Sequence, residues 1–62
     1  MESDLLLPKE AADYLRTTIA QLNVLRSRKT GPNYVKLGRS VRYRRSDLQA
    51  YVEAGRVEVG AK

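Results

Sequence analysis

Nine of the twelve Lys and Arg residues fall between positions 16 and 45: Arg16, Arg26, Arg28, Lys29, Lys36, Arg39, Arg42, Arg44 and Arg45. No Asp or Glu interrupts them, so this block carries +9. Residues 1–15 carry −3 and residues 46–62 carry −1, which leaves the 62-residue chain at +5. Cations collected without acids form the electrostatic footprint of a protein that binds a polyanion, nucleic acid above all. The blander reading is a solubilising surface. Between the cations lie small groups suited to base edges. Asn23 and Gln21 can pair bidentately with adenine, and Ala20 or Val24 can touch a thymine methyl. Ser27 offers a neutral hydroxyl, and Ser40 stands beside Arg39. Few such groups against many cations imply modest sequence preference and a steep salt dependence.

Other chemistries find no support. The chain has no Cys and no His, which removes disulfides, the common zinc sites, thiol catalysis and imidazole acid–base chemistry. Asp4, Glu10 and Asp13 cluster, but acids at the start of a helix explain them. No nucleophile has a base beside it, so no enzyme is expected. Gly31 and Gly38 are isolated turn residues rather than a phosphate-binding loop. No cofactor, metal, membrane or small-molecule substrate is expected. The longest apolar run is Leu5–Leu7, too short for a membrane span or a signal peptide. An intracellular, cytoplasmic location associated with DNA follows as an expectation.

The elements that must position the cations are legible in outline. One domain is expected over 1–62, ordered from about 5 to 55, with Met1–Asp4 and Gly55–Lys62 frayed. Pro8 suits the first position of a helix, and Ala11, Ala12 and Leu15 give it one apolar face through Leu15. Thr18-Ile19-Ala20-Gln21 has the form of a capping box, so Thr18 opens a second helix. Gln21 can complete that cap instead of meeting a base. Leu22 and Leu25, flanked by Ile19, face inward. Ala20, Asn23, Val24 and Ser27 face outward at about 100° per residue. Arg26, Arg28 and Lys29 load its C-terminal end, which suits the helix dipole. Only Arg16 and Thr17 separate the two helices, the spacing of a helix-turn-helix.

After the breaker Thr30-Gly31-Pro32-Asn33 the period changes to two. Val35 and Leu37, then Val41 and Tyr43, are expected to pack inward around a type II′ turn at Gly38-Arg39. Lys36, Arg39, Arg42 and Arg44 are expected on the outer face and tip. Tyr43 and Tyr51 are placed in the core, while Tyr34 is left open, its hydroxyl within reach of a phosphate. Ser46-Asp47-Leu48-Gln49 repeats the capping-box form and opens a third helix, buried through Leu48, Tyr51 and Val52 and stopped by Gly55. The fold class is α+β: a small winged helix-turn-helix with a two-helix unit, a β-hairpin wing and a closing helix.

In such an arrangement the second helix enters the major groove with its N-terminal turn toward the bases. Thr18 and the N–H groups at that helix start can hold a phosphate. The hairpin lays arginine on phosphates or into an adjacent minor groove. The expected DNA-binding residues are Arg16, Thr18, Ala20, Gln21, Asn23, Val24, Arg26, Ser27, Arg28, Lys29, Lys36, Arg39, Ser40, Arg42 and Arg44.

The runs Leu7-Pro8-Lys9-Glu10-Ala11-Ala12-Asp13-Tyr14-Leu15 and Tyr34-Val35-Lys36-Leu37-Gly38-Arg39-Ser40-Val41-Arg42-Tyr43-Arg44-Arg45-Ser46-Asp47-Leu48, with Thr18 opening a helix between them, resemble the excisionase-type winged helix-turn-helix family. That family comprises phage recombination directionality factors and is similar to MerR-type and AlpA-like DNA-binding domains. The resemblance spans about Leu6 to Val52. It implies binding to double-stranded DNA at adjacent attachment sites, DNA bending, and excision by a partner phage integrase, with copies side by side on the DNA. The same domain also implies an alternative, a small prophage-type transcriptional regulator at promoters. The chain departs from the family pattern at Leu7, where Ser or Thr is usual, and at Arg16, where glycine is usual. It departs again at Asn23 and Val24, where an aromatic or basic residue is usual. The last departure shifts the expected load onto Arg16, Arg26, Arg28 and the wing. No long helix follows Gly55, so a MerR-like coiled-coil dimer is not expected. A third reading, a protein-binding adaptor, rests on Val24, Ala20 and the apolar Leu5–Leu7.

Overall fold

The computed structural model describes residues 4–60. The elements run β1 (Leu5–Leu6), α1 (Pro8–Leu15), α2 (Ile19–Arg28), β2 (Val35–Leu37), β3 (Ser40–Arg44) and α3 (Arg45–Ala54). The three strands form one antiparallel sheet in the order β1-β3-β2. This is an α+β winged helix-turn-helix. α1 is its hub and touches α2, α3, β1 and β3. Residues 1–3 and 61–62 of the expected frayed ends lie outside the described residues. Residues 56–60 carry no helix or strand.

α1 begins where the proline requires. Pro8 takes the first helical position and needs no N–H partner there. Leu7, at the cap, has no side-chain acceptor, so half of a capping box is missing. Glu10 supplies the other half: its Oε1 accepts the Leu7 N–H at 2.7 Å. α2 shows the reverse. Thr18 Oγ1 accepts the Gln21 N–H at 3.1 Å, and the return bond from the Gln21 side chain is absent among the described residues.

Both helices end alike. Thr17 N–H reaches Ala12 O and Arg16 N–H reaches Asp13 O; Thr30 N–H reaches Leu25 O and Lys29 N–H reaches Arg26 O. These paired bonds are Schellman endings, which place one residue in the left-handed region. Glycine is the usual occupant, yet here it is Arg16 (φ 57°) and Lys29 (φ 60°). Gly31 serves a different need. A Cβ there would lie 2.8 Å from Leu25 Cβ, so glycine lets the loop close over the end of α2.

The core is small. Leu6, Ala11, Ala12, Leu22, Tyr43 and Leu48 are buried, with Leu15 and Val41 packed against them. Ile19 and Val52, expected on buried faces, are exposed instead, because both fall at the edges of their helix's inward stripe. Tyr51 is half-buried. Tyr43 is fully buried, as its spacing predicts, and its hydroxyl has no hydrogen-bond partner among the described residues.

Three further expectations are corrected. The first concerns the N-terminal leucines. Leu5 and Leu6 form a strand paired with Arg44 and Tyr43, and Leu6 is core, so Leu5–Leu7 is not a free contact patch. The second concerns α3, which starts at Arg45 rather than at a Ser46 cap. Arg44 is the cap and no side chain caps it. The ladder explains the early start: Arg45 N–H donates to Asp4 O at 3.0 Å, so a strand bond satisfies the helix's first free donor. Gly55 does end α3, but at φ −90° rather than in the left-handed region.

The third concerns the faces of the wing. The two-residue turn pairs Leu37 with Ser40, Lys36 with Val41 and Val35 with Arg42. Residues opposite one another in an antiparallel pair share a face. Val35 and Leu37 therefore lie with Arg42 and Arg44 on the outer face, and Leu37 is 49% exposed. The inner face carries Leu6, Val41 and Tyr43, with Lys36 beside Val41. Gly38 has φ 64° and Arg39 does not share the positive φ, the pattern of a type II′ turn.

Candidate nucleic-acid interface

α2 presents Ala20, Asn23, Val24 and Ser27 to solvent, as their helical spacing predicts, and Gln21 is exposed as well. Thr18 stands exposed at its N-terminus, spending its hydroxyl on the cap. Arg28 and Lys29 lie exposed at the other end, and Arg16 is exposed in the turn before the helix. The wing adds Arg39 at its tip, Ser40 beside it and Arg44 on the outer face, all exposed. Lys36 is exposed too, but on the opposite face from Arg42 and Arg44.

Two of these residues are held by partners. Arg26 is half-buried: its Nη1 donates to Asn23 Oδ1 at 3.1 Å, and its guanidinium lies over the Tyr34 ring. This contact fixes the C-terminal half of α2 against the root of the wing, since Tyr34 immediately precedes β2. Arg42 is also half-buried, and its Nη1 donates to Val41 O at 2.9 Å. Neither period nor motif assigns Tyr34 a structural role. Its role as a platform carries no periodic signal, because it depends on the loop that brings it beneath α2.

The electrostatics are one-sided. Among the described residues the ion pairs are Arg56–Glu53 and Arg56–Glu58, both exposed and outside the block. None of the nine cations from Arg16 to Arg45 has an acidic partner among the described residues. With no direct ion pair among the described residues, these charges stay open to an external polyanion.

The left-handed cations carry a cost that has a direction. A non-glycine residue there is strained by about 1–2 kcal/mol. Arg16→Gly is expected to raise stability by about 1 kcal/mol in urea unfolding. It is also expected to weaken DNA binding and flatten its salt slope by about one unit. A stability gain with unaltered binding would remove Arg16 from the interface.

No group of His, Cys, Asp or Glu that could hold a metal ion occurs among the described residues. No helix among them is long and apolar enough to cross a membrane. The chain has no match among curated proteins. The family model of the helix-turn-helix domain, by contrast, matches residues 5–56, covering every element from β1 to α3. The unpaired cations thus stand on a scaffold that is non-catalytic and made to bind double-stranded DNA, and the chain belongs to the helix-turn-helix domain family, which includes excisionase-like and AlpA-type small DNA-binding proteins.

Proposed function

We propose that the chain is an excisionase-type architectural protein that bends attachment-site DNA and directs a phage integrase toward excision. The observation that carries this reading is the set of nine cations without acidic partners among the described residues, spread over a helix-turn-helix and its wing. α2 enters the major groove, with Ala20, Gln21, Asn23, Val24 and Ser27 at the bases and Arg28 and Lys29 at phosphates. Arg16, Thr18 and the N–H groups at the start of α2 meet the backbone on one flank. The wing meets it on the other through Arg39, Ser40, Arg42 and Arg44, while Lys36 lies on the opposite face of the hairpin. Phosphates neutralised on one side of the duplex no longer repel one another there, so the DNA bends toward the protein. The runs at Leu7–Leu15 and Tyr34–Leu48 support an excisionase within the wider family. Copies placed side by side would extend the bend.

The test is to incubate the protein with sheared DNA from its source, recover bound fragments at moderate salt and sequence them. Clustered repeats beside an integrase core site, with bent complexes, support the proposal. Sites spread over promoters, with straight DNA and altered transcript levels, would make the chain a transcriptional regulator instead.

A further inference from the structure

The contacts of Arg26 bear on how α2 selects a base. Arg26 Nη1 donates to Asn23 Oδ1 at 3.1 Å, and its guanidinium carbon lies 5.9 Å from the Tyr34 ring centre. The Tyr34 ring in turn meets that of Tyr43, with centroids 6.3 Å apart and planes inclined by 55°. Tyr43 is fully buried. A continuous series of contacts therefore runs from the core to the exposed face of α2.

The hydrogen bond fixes the orientation of the Asn23 amide. Its oxygen faces Arg26, and its amino group is left to donate. Arg26 retains four further N–H donors and has no acceptor. The two side chains together offer donors to whatever lies against them. Guanine is the base whose major-groove edge presents two neighbouring acceptors, N7 and O6. Adenine presents one acceptor, N7, beside a donor amine, so it matches only half of this donor set and would need the second lone pair of the Asn23 oxygen for its amine.

Building on the DNA-binding reading above, we propose that Asn23 and Arg26 act as one unit that selects guanine, and that Tyr34 is the positioning residue that holds it. The ring face keeps the guanidinium in place by cation–π attraction, so the phenol hydroxyl is not needed.

The experiment is selection of duplexes from a randomised pool, followed by affinity against salt for the selected duplex and its guanine-to-adenine counterpart. Wild type, Asn23→Ala, Arg26→Lys, Tyr34→Phe and Tyr34→Leu are compared. The wild type should prefer guanine by roughly tenfold, a preference that Asn23→Ala relaxes. Tyr34→Leu should cut the preference by about two- to five-fold. It should leave the salt slope unchanged, because no charge is removed. Tyr34→Phe should keep the full preference. Arg26→Lys should lose preference at constant slope, since lysine keeps the charge without the planar fork. Adenine at that position, or full preference in Tyr34→Leu, would overturn the proposal. Circular dichroism shows whether Tyr34→Leu folds, and if it does not, Arg26→Lys decides. A wild type without affinity for any duplex would instead overturn the DNA-binding reading itself, a result seen before any variant is made.

Discussion

Leu48→Ala is expected to cost the protein a large share of its stability and to lower its urea midpoint sharply. Leu48 is fully buried and belongs to a cluster of six buried residues among those described, two of which are alanines. It locks α3 into the core alongside Leu22 and Tyr43. Truncating its side chain beyond Cβ loses the transfer free energy of three carbons and opens a cavity, together about 2–5 kcal/mol. A chain of this length has a total stability of only about 3–9 kcal/mol. One substitution therefore consumes a large share of it. Urea unfolding followed by circular dichroism checks the result, and a midpoint unmoved by the change would show that α3 does not hold the fold. Tyr43→Phe, at an equally buried neighbour, makes the contrast. It keeps the ring and deletes a hydroxyl that has no partner, so its midpoint should hold or rise.

That contrast shows where the sequence is informative and where it is not. Pro8, the Thr18 cap and Gly38 act within a few residues of themselves, and their local chemistry is visible in the chain. Each lands where its residue type predicts, down to the Thr18 Oγ1 bond and the positive φ of Gly38. β1 is different. Leu5 and Leu6 make a strand only because Arg44 and Tyr43 lie opposite, some forty positions away. The same long-range ladder moves the start of α3, since Asp4 O meets the Arg45 N–H that a Ser46 cap would otherwise have placed outside the helix. The wing's faces depart from simple alternation for a subtler reason. Alternation identifies which residues share a face within one strand, but the turn length decides which faces of two strands coincide. Of the interface, the cations and the outward side of α2 were legible from charge and period. The coupling of Asn23, Arg26 and Tyr34 was not, because a loop of no regular period brings the ring to the helix.

The wing arginines are expected to give the largest change in the salt dependence of binding. Arg39 is exposed at the turn and forms no ion pair among the described residues, so its charge is available to a phosphate. Arg39→Ala should weaken binding to all duplexes alike and flatten the slope of log affinity against log salt by about one unit. Stability should be unaffected, since the side chain makes no contact that folding needs. Arg42 differs in one respect. Its Nη1 is bound to Val41 O, yet its charge and remaining donors face outward with Arg44. Arg42→Ala should flatten the slope by a similar amount, about one unit. It should also cost a few tenths of a kcal/mol to about 1 kcal/mol of stability, as its half-buried stem and one hydrogen bond are lost. The double variant should lose about two units, because the two charges meet separate phosphates. Fluorescence anisotropy on one duplex over a series of salt concentrations measures all three slopes. Unchanged slopes in both single variants would take the wing off the DNA. The binding load would then fall on α2 and Arg16, and the bend, which needs contacts on both flanks of the groove, would lose its physical basis.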